Sequence, residues 1–213
     1  MKEAKNTPLA RRLEETAANV PPRYNVKWHL HVLYKTPKQG ESLLNEKALR
    51  RIRDIERSIV TLPEYPRFCV QVQTGPKECA SPTSLMPYLF PAPGEETSAP
   101  YDYTRNYDMA DIEITMLNLL RRGVYWFTDI GFSKKDPAYV DLIRTDFLFA
   151  RPIEGFTDRL DRQDEQEAKY EKFAEKLFAL LSGIPCPSCR ASLPPCSKQG
   201  QKLPTFPANS KGC

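Results

Sequence analysis

Residues 64–106 constrain this chain most: a long, proline-rich stretch without hydrophobic periodicity that carries Cys69, Cys79 and the run Pro82-Thr83-Ser84-Leu85-Met86-Pro87-Tyr88-Leu89-Phe90-Pro91. A connection of that length inside a compact domain usually has a purpose or a staple. A bridge between Cys69 and Cys79 would be the staple, closing a ring of ~11 residues that the loop-entropy model values at roughly 2 to 3 kcal/mol. Two unpaired thiols are the alternative. A short-range cystine beside a buried aromatic run suits an oxidising compartment better than the cytosol.

The flanking sequence supplies the elements to be stapled. Val26, Trp28, Leu30, Val32 and Tyr34 alternate with Lys27, His29, His31 and Lys35, the period of a half-buried strand. Asn45 can cap a helix to about Leu62, where Leu49, Ile52, Ile55, Ile59 and Leu62 form one apolar stripe with arginines and acids opposite. Pro63 ends it. Asp108 is the expected cap of a second helix through Ile112, Met116, Leu119 and Leu120, stopped by Gly123. The aromatic segment 124–132 reads equally as helix or turn. A second strand over 139–150 would place Ile143, Thr145, Phe147 and Phe149 on one face. A charged helix from about Asp161 to Leu181 follows, buried along Tyr170, Phe173, Leu177 and Leu180, with Gly183 and Pro185 as its stop.

With 213 residues, 40% of them hydrophobic, the chain can bury one sizeable core. We read residues 1–24 as a charged segment with a short helix over Leu9 to Ala18, residues 25–183 as one domain, and residues 184–213 as a disordered tail. That tail holds four of the six cysteines and six of the twenty prolines and has no apolar period to fold around. The 31 basic and 27 acidic residues are interspersed, for a net charge of +4, which gives a nucleic-acid or anionic-membrane role little footing. No apolar run approaches the ~20 residues of a membrane span, and Met1-Lys2-Glu3-Ala4-Lys5 does not lead into a signal-peptide core. No Asn-x-Ser/Thr acceptor occurs, which also sits awkwardly with an extracellular home. The cystine reading therefore expects the chain to be a piece of something longer.

Three motifs invite sharper chemistry. His29 and His31 share a strand face and could begin a zinc site, but no other histidine exists, and a solvated face beside Lys27 and Lys35 is preferred. Cys186-Pro187-Ser188-Cys189 has the spacing of redox and zinc sites, yet a helix ends before it and Cys196 and Cys213 stand alone, so incidental cysteines are preferred to metal or redox chemistry. Asp158, Asp161, Asp164, Glu165 and Glu167 lack the glycine and terminal glutamate of a calcium loop. Acids opening a helix complement its dipole. No Ser/His/Asp set or phosphate loop is present, so we expect no enzyme and no cofactor.

The order of these pieces resembles a known family. The helix 45–62, Pro66-Arg67-Phe68-Cys69, Cys79, Ser84-Leu85-Met86-Pro87-Tyr88-Leu89-Phe90-Pro91, Arg144-Thr145-Asp146-Phe147-Leu148-Phe149 and Pro152-Ile153-Glu154-Gly155-Phe156 are together similar to the first large ectodomain of Dispatched-like proteins. These belong to the resistance-nodulation-division superfamily, with the Patched receptors and the Niemann-Pick-type sterol transporters. The resemblance implies an α+β, ferredoxin-like ectodomain, with helices on one face of a small, mainly antiparallel sheet, between the first two membrane helices of a twelve-helix, sterol-sensing protein. It gives Cys69 and Cys79 a structural role as the family's disulfide positions. It implies that Trp28, Trp126 and Phe127 could face a lipid, against the plainer reading of aromatic core.

The partners so implied are a lipid-modified protein or a sterol, together with the rest of the membrane protein. The implied role of the parent is release of lipid-modified Hedgehog signal, or sterol handling. The family's domain would continue after Ser182 into a further strand and a membrane helix, where this sequence has its cysteine-proline tail. We therefore expect a partial product whose sheet lacks a strand. The runner-up is a soluble cytoplasmic α+β interaction module with no lipid role; an oxidoreductase using the Cys186–Cys189 pair stands third.

Overall fold

The computed structural model describes residues 23–36, 40–72, 78–93, 101–124 and 139–184. The expected segments 9–18, 125–132 and 185–213, with Trp126, Phe127, Cys186, Cys189, Cys196 and Cys213, lie outside them. The described residues form a small α+β domain. In chain order they are β1 (Asn25–Lys35), α1 (Glu46–Val60), α2 (Tyr65–Phe68), α3 (Met86–Leu89), α4 (Ile112–Arg121), β2 (Leu142–Arg151) and α5 (Gln163–Gly183).

β1 and β2 pair antiparallel in a two-stranded sheet, with Leu30 opposite Phe147 and Val32 opposite Thr145. Their alternation decides which face is dry. Val32 and Tyr34 from β1 and Ile143, Thr145, Phe147 and Phe149 from β2 are buried, while His29, His31 and Lys35 are exposed. Val26 was expected on the inward face but is 42% exposed. The register slips between Val26 and Trp28, and an extra residue in one strand inverts the face of everything beyond it.

The helices supply the other side of the core. Asn45 caps α1 through its side chain, which accepts from the Ala48 amide at 3.0 Å. Leu49, Ile52, Ile55 and Ile59 are buried in the same cluster as the strand residues. The polar face expected opposite them is interrupted, because Arg53 and Glu56 are buried too. α4 is capped by Asp111, whose Oδ1 accepts from the Ile114 amide at 2.8 Å, and not by the expected Asp108. The Ala110 amide donates to the Leu89 carbonyl, so it is not available to Asp108 as a first-turn donor. Gly123, with a φ of 70°, ends α4 as expected.

α5 begins two residues later than the expected Asp161. The Asp158 carboxylate accepts from the Leu160 and Asp161 amides, and that of Asp161 accepts from Thr157. Those acids close the preceding turn and leave Asp164 and Glu165 in the first turn of the helix. The buried stripe of α5 runs through Tyr170, Phe173, Leu177 and Leu181, with Leu180 only partly covered.

Candidate functional site

The long connection after α1 folds back along the free edge of β2. The Val70 amide donates to the Leu148 carbonyl, and Thr83 and Asp146 exchange two backbone bonds at 2.9 and 3.0 Å. Single pairings at Cys69↔Phe149 and Thr83↔Asp146 replace a full strand there, and Gln71↔Cys79 pairs the loop with itself. Cys69 and Cys79 are joined by a disulfide, with their Cα atoms 5.5 Å apart. Cys69 is fully buried, so the bridge ties the loop directly to the core. Arg23 clasps the same region: its main-chain N–H donates to Gln71 Oε1, its Nε donates to the Cys69 carbonyl, and its Nη2 donates to the Pro66 carbonyl. Burial lowers the Arg23 pKa, against the opposing charge of Glu154.

Beside the disulfide lies a layer of aromatic rings. Trp28 stacks on Tyr170 with centroids 4.1 Å apart and planes 6° from parallel. Phe68 stacks on Phe173 at 4.4 Å, and Phe149 meets both Tyr170 and Phe173 at 5.6 and 5.5 Å. The Arg151 guanidinium sits 4.9 Å over the Trp28 ring and reaches Glu167 at 3.0 Å. Trp28 is thus the outer, half-covered ring of a layer whose inner members are buried. Phe68 and Phe173 also floor a cleft of about 420 Å³ between α2 and α5, rimmed by Arg67, Lys172 and Lys176.

On the outer sheet face, His31 Nδ1 lies 2.6 Å from Asp146 Oδ1, which also pairs with Arg144. His29 rests against the His31 ring. Among the described residues no three His, Cys, Asp or Glu side chains cluster as a metal site.

A further site escaped the sequence reading. Glu56 is completely buried, and its Oε1 accepts from Ser84 Oγ at 2.7 Å and Thr145 Oγ1 at 2.5 Å, while Oε2 accepts from Tyr103 Oη at 2.7 Å. Burial raises its pKa to about 7 against the opposing pull of these three donors. The signal was present in the spacing, because position 56 lies four residues after Ile52 and three before Ile59 on the apolar stripe. A charged residue at a stripe position is either an error of phase or a buried polar group with partners.

No family model matches the chain. Its sequence is 28% identical over 165 residues to Protein dispatched homolog 3 of Homo sapiens, an alignment covering 73% of this chain and 12% of that protein. The same protein of Mus musculus gives 28% over the same span, and that of Gallus gallus 27%. The relationship is Dispatched-like. The chain spans about an eighth of the length of these curated relatives, 12% in each case. No solved structure matches it. Among its described residues no helix is long and apolar enough to cross a membrane.

Proposed function

We propose that this chain is a non-catalytic ectodomain of a Dispatched-like multi-pass membrane protein, whose parent acts in the export of lipid-modified Hedgehog signal or in sterol handling. The sequence relationship over 165 residues is the observation that carries this reading. Two features support it. A disulfide that ties the long loop to the core suits the oxidising side of a membrane. Trp28, half covered, stacks on Tyr170 with the Arg151 guanidinium over its ring, and the apolar part it leaves uncovered lies beside a charged donor, the pairing that suits a sterol with one hydroxyl. Trp126 and Phe127 are further candidate lipid-facing residues, and the partners are a sterol or lipid-modified protein and the remainder of the membrane protein.

A photoactivatable cholesterol analogue tests this on the purified full chain. Labelling should fall on peptides containing Trp28 or Tyr170, compete with unlabelled cholesterol and drop several-fold in Trp28→Ala. Labelling that does not compete, or that spreads evenly over the chain, would sink the lipid reading. Non-reducing peptide mapping of the chain from cells separates the compartments. Joined Cys69 and Cys79 peptides favour the ectodomain, whereas alkylated free thiols favour a cytoplasmic interaction module.

A further inference from the structure

We propose that Glu56 is a proton-binding site built into the core, and that its occupancy decides whether the segment 101–107 stays docked on α1. The geometry is that of a switch. Among the described residues no lysine or arginine pairs with the Glu56 carboxyl, which is sealed from water and touched by hydroxyls from three separate parts of the chain: Ser84 before α3, Tyr103 and Thr145 of β2. Two of those parts are anchored independently. Ser84 follows the paired Thr83 and precedes the buried Leu85 and Met86, and Thr145 lies within the β-ladder.

The segment 101–107 has no such ladder. Side chains hold it: Arg57 donates to the carbonyls of Tyr103, Thr104 and Arg105, Arg53 donates to the Tyr107 carbonyl, and Tyr103 donates to Glu56. When Glu56 loses its proton, a charge held by three hydroxyls and no cation stands in the core, and the least costly route for water to reach it is to lift Tyr103.

The surroundings leave Glu56 as the titrating member. Arg53 and Arg57 on its own helix bring positive charge but bond to the segment's carbonyls and not to the carboxyl. Tyr65 from α2, Tyr103 and Tyr101 are all raised by burial, Tyr101 to about 12. Tyr34 of β1 and Tyr107 complete the phenols around the cluster. On β2, Thr145 points inward, and the alternation of the strand turns its neighbours Arg144 and Asp146 to the face that carries His29 and His31. Asp102 is held low by its hydrogen bond from Thr104. With Glu56 near 7 in the closed state and near its ordinary value once solvated, opening of the segment should grow on the order of 30-fold between about pH 5.5 and about pH 8.

Hydrogen exchange of the full chain, corrected for the intrinsic pH dependence of amide exchange, reads this directly. Protection of peptides spanning 101–110 should fall by that factor as pH rises, while peptides from α5 hold. Glu56→Gln should flatten the profile. Infrared titration of the unaltered chain gives a reading that needs no variant: a protonated-carboxyl stretch should persist above the ordinary glutamate range and vanish with a midpoint near 7, matching Glu56. Unchanged protection of 101–110, an equal loss in Glu56→Gln, loosening shared by α5, or the absence of that infrared band would each overturn the proposal.

Discussion

Glu56 shows how a single side chain can depend on its neighbours more than on its own chemistry. Three hydroxyls favour its ionised form and complete burial favours the neutral one, and burial wins. Removing one donor shifts that balance. Tyr103→Phe should raise the Glu56 midpoint further, and should cost about 1.5 to 3 kcal/mol at alkaline pH, where the lost bond is to a charge, against about 1 kcal/mol in acid. Urea unfolding at the two pH values measures the difference, and an equal loss at both would argue that the tyrosine serves packing alone. At the same scale the sequence was legible where chemistry and position agreed. Asn45 was read as a helix cap and caps α1. It was misleading where they disagreed: Arg53 and Glu56 read as solvent-facing because they are charged, yet their spacing places them against the core. Asp108 and Asp111 are equally good caps by type. The Ala110-to-Leu89 backbone bond takes an amide that Asp108 would cap, and Asp111 caps α4 instead.

At the scale of elements, the helices are fastened at their ends and the long loop at its middle. Asn45→Ala and Asp111→Ala should each lower stability by about 1 kcal/mol, since each leaves a first-turn amide without its acceptor; both are measurable by denaturant midpoint at unchanged slope. The disulfide acts on the connection that has least structure of its own. The double variant Cys69→Ser/Cys79→Ser should lose roughly 2 to 3 kcal/mol on the loop-entropy model, and reduction of the unaltered chain should lower its thermal midpoint in parallel. A chain equally stable reduced and oxidised would show that the backbone pairings to Leu148 and Asp146 already order the loop. Periodicity made β1, α1 and β2 readable. It could not show the slip at Val26, because a bulge is set by how two strands meet.

For the whole molecule, the buried carboxyl gives stability an unusual sign with pH. The native state holds a proton on Glu56 up to about 7, whereas the unfolded chain releases it near the ordinary value. That contribution is complete below the unfolded value and fades as pH rises through the native one, amounting to about 3 kcal/mol at most. Asp102, Glu64 and Asp161 are lowered, in each case chiefly by hydrogen bonds, and they act oppositely as pH falls. Unfolding midpoints should therefore peak in mildly acidic solution and decline toward pH 8, and Glu56→Gln should remove most of that decline. The sequence by itself determined an α+β domain, most of its strand faces and helix stripes and a Dispatched-like relationship, because periodicity and residue order are local properties of a chain. Only the tertiary structure decided that the loop would pair with β2, that Trp28 would stack on Tyr170, and that hydroxyls from distant parts of the chain would converge on Glu56. Those contacts join residues remote in sequence, and their energies exist only once the core has closed around them.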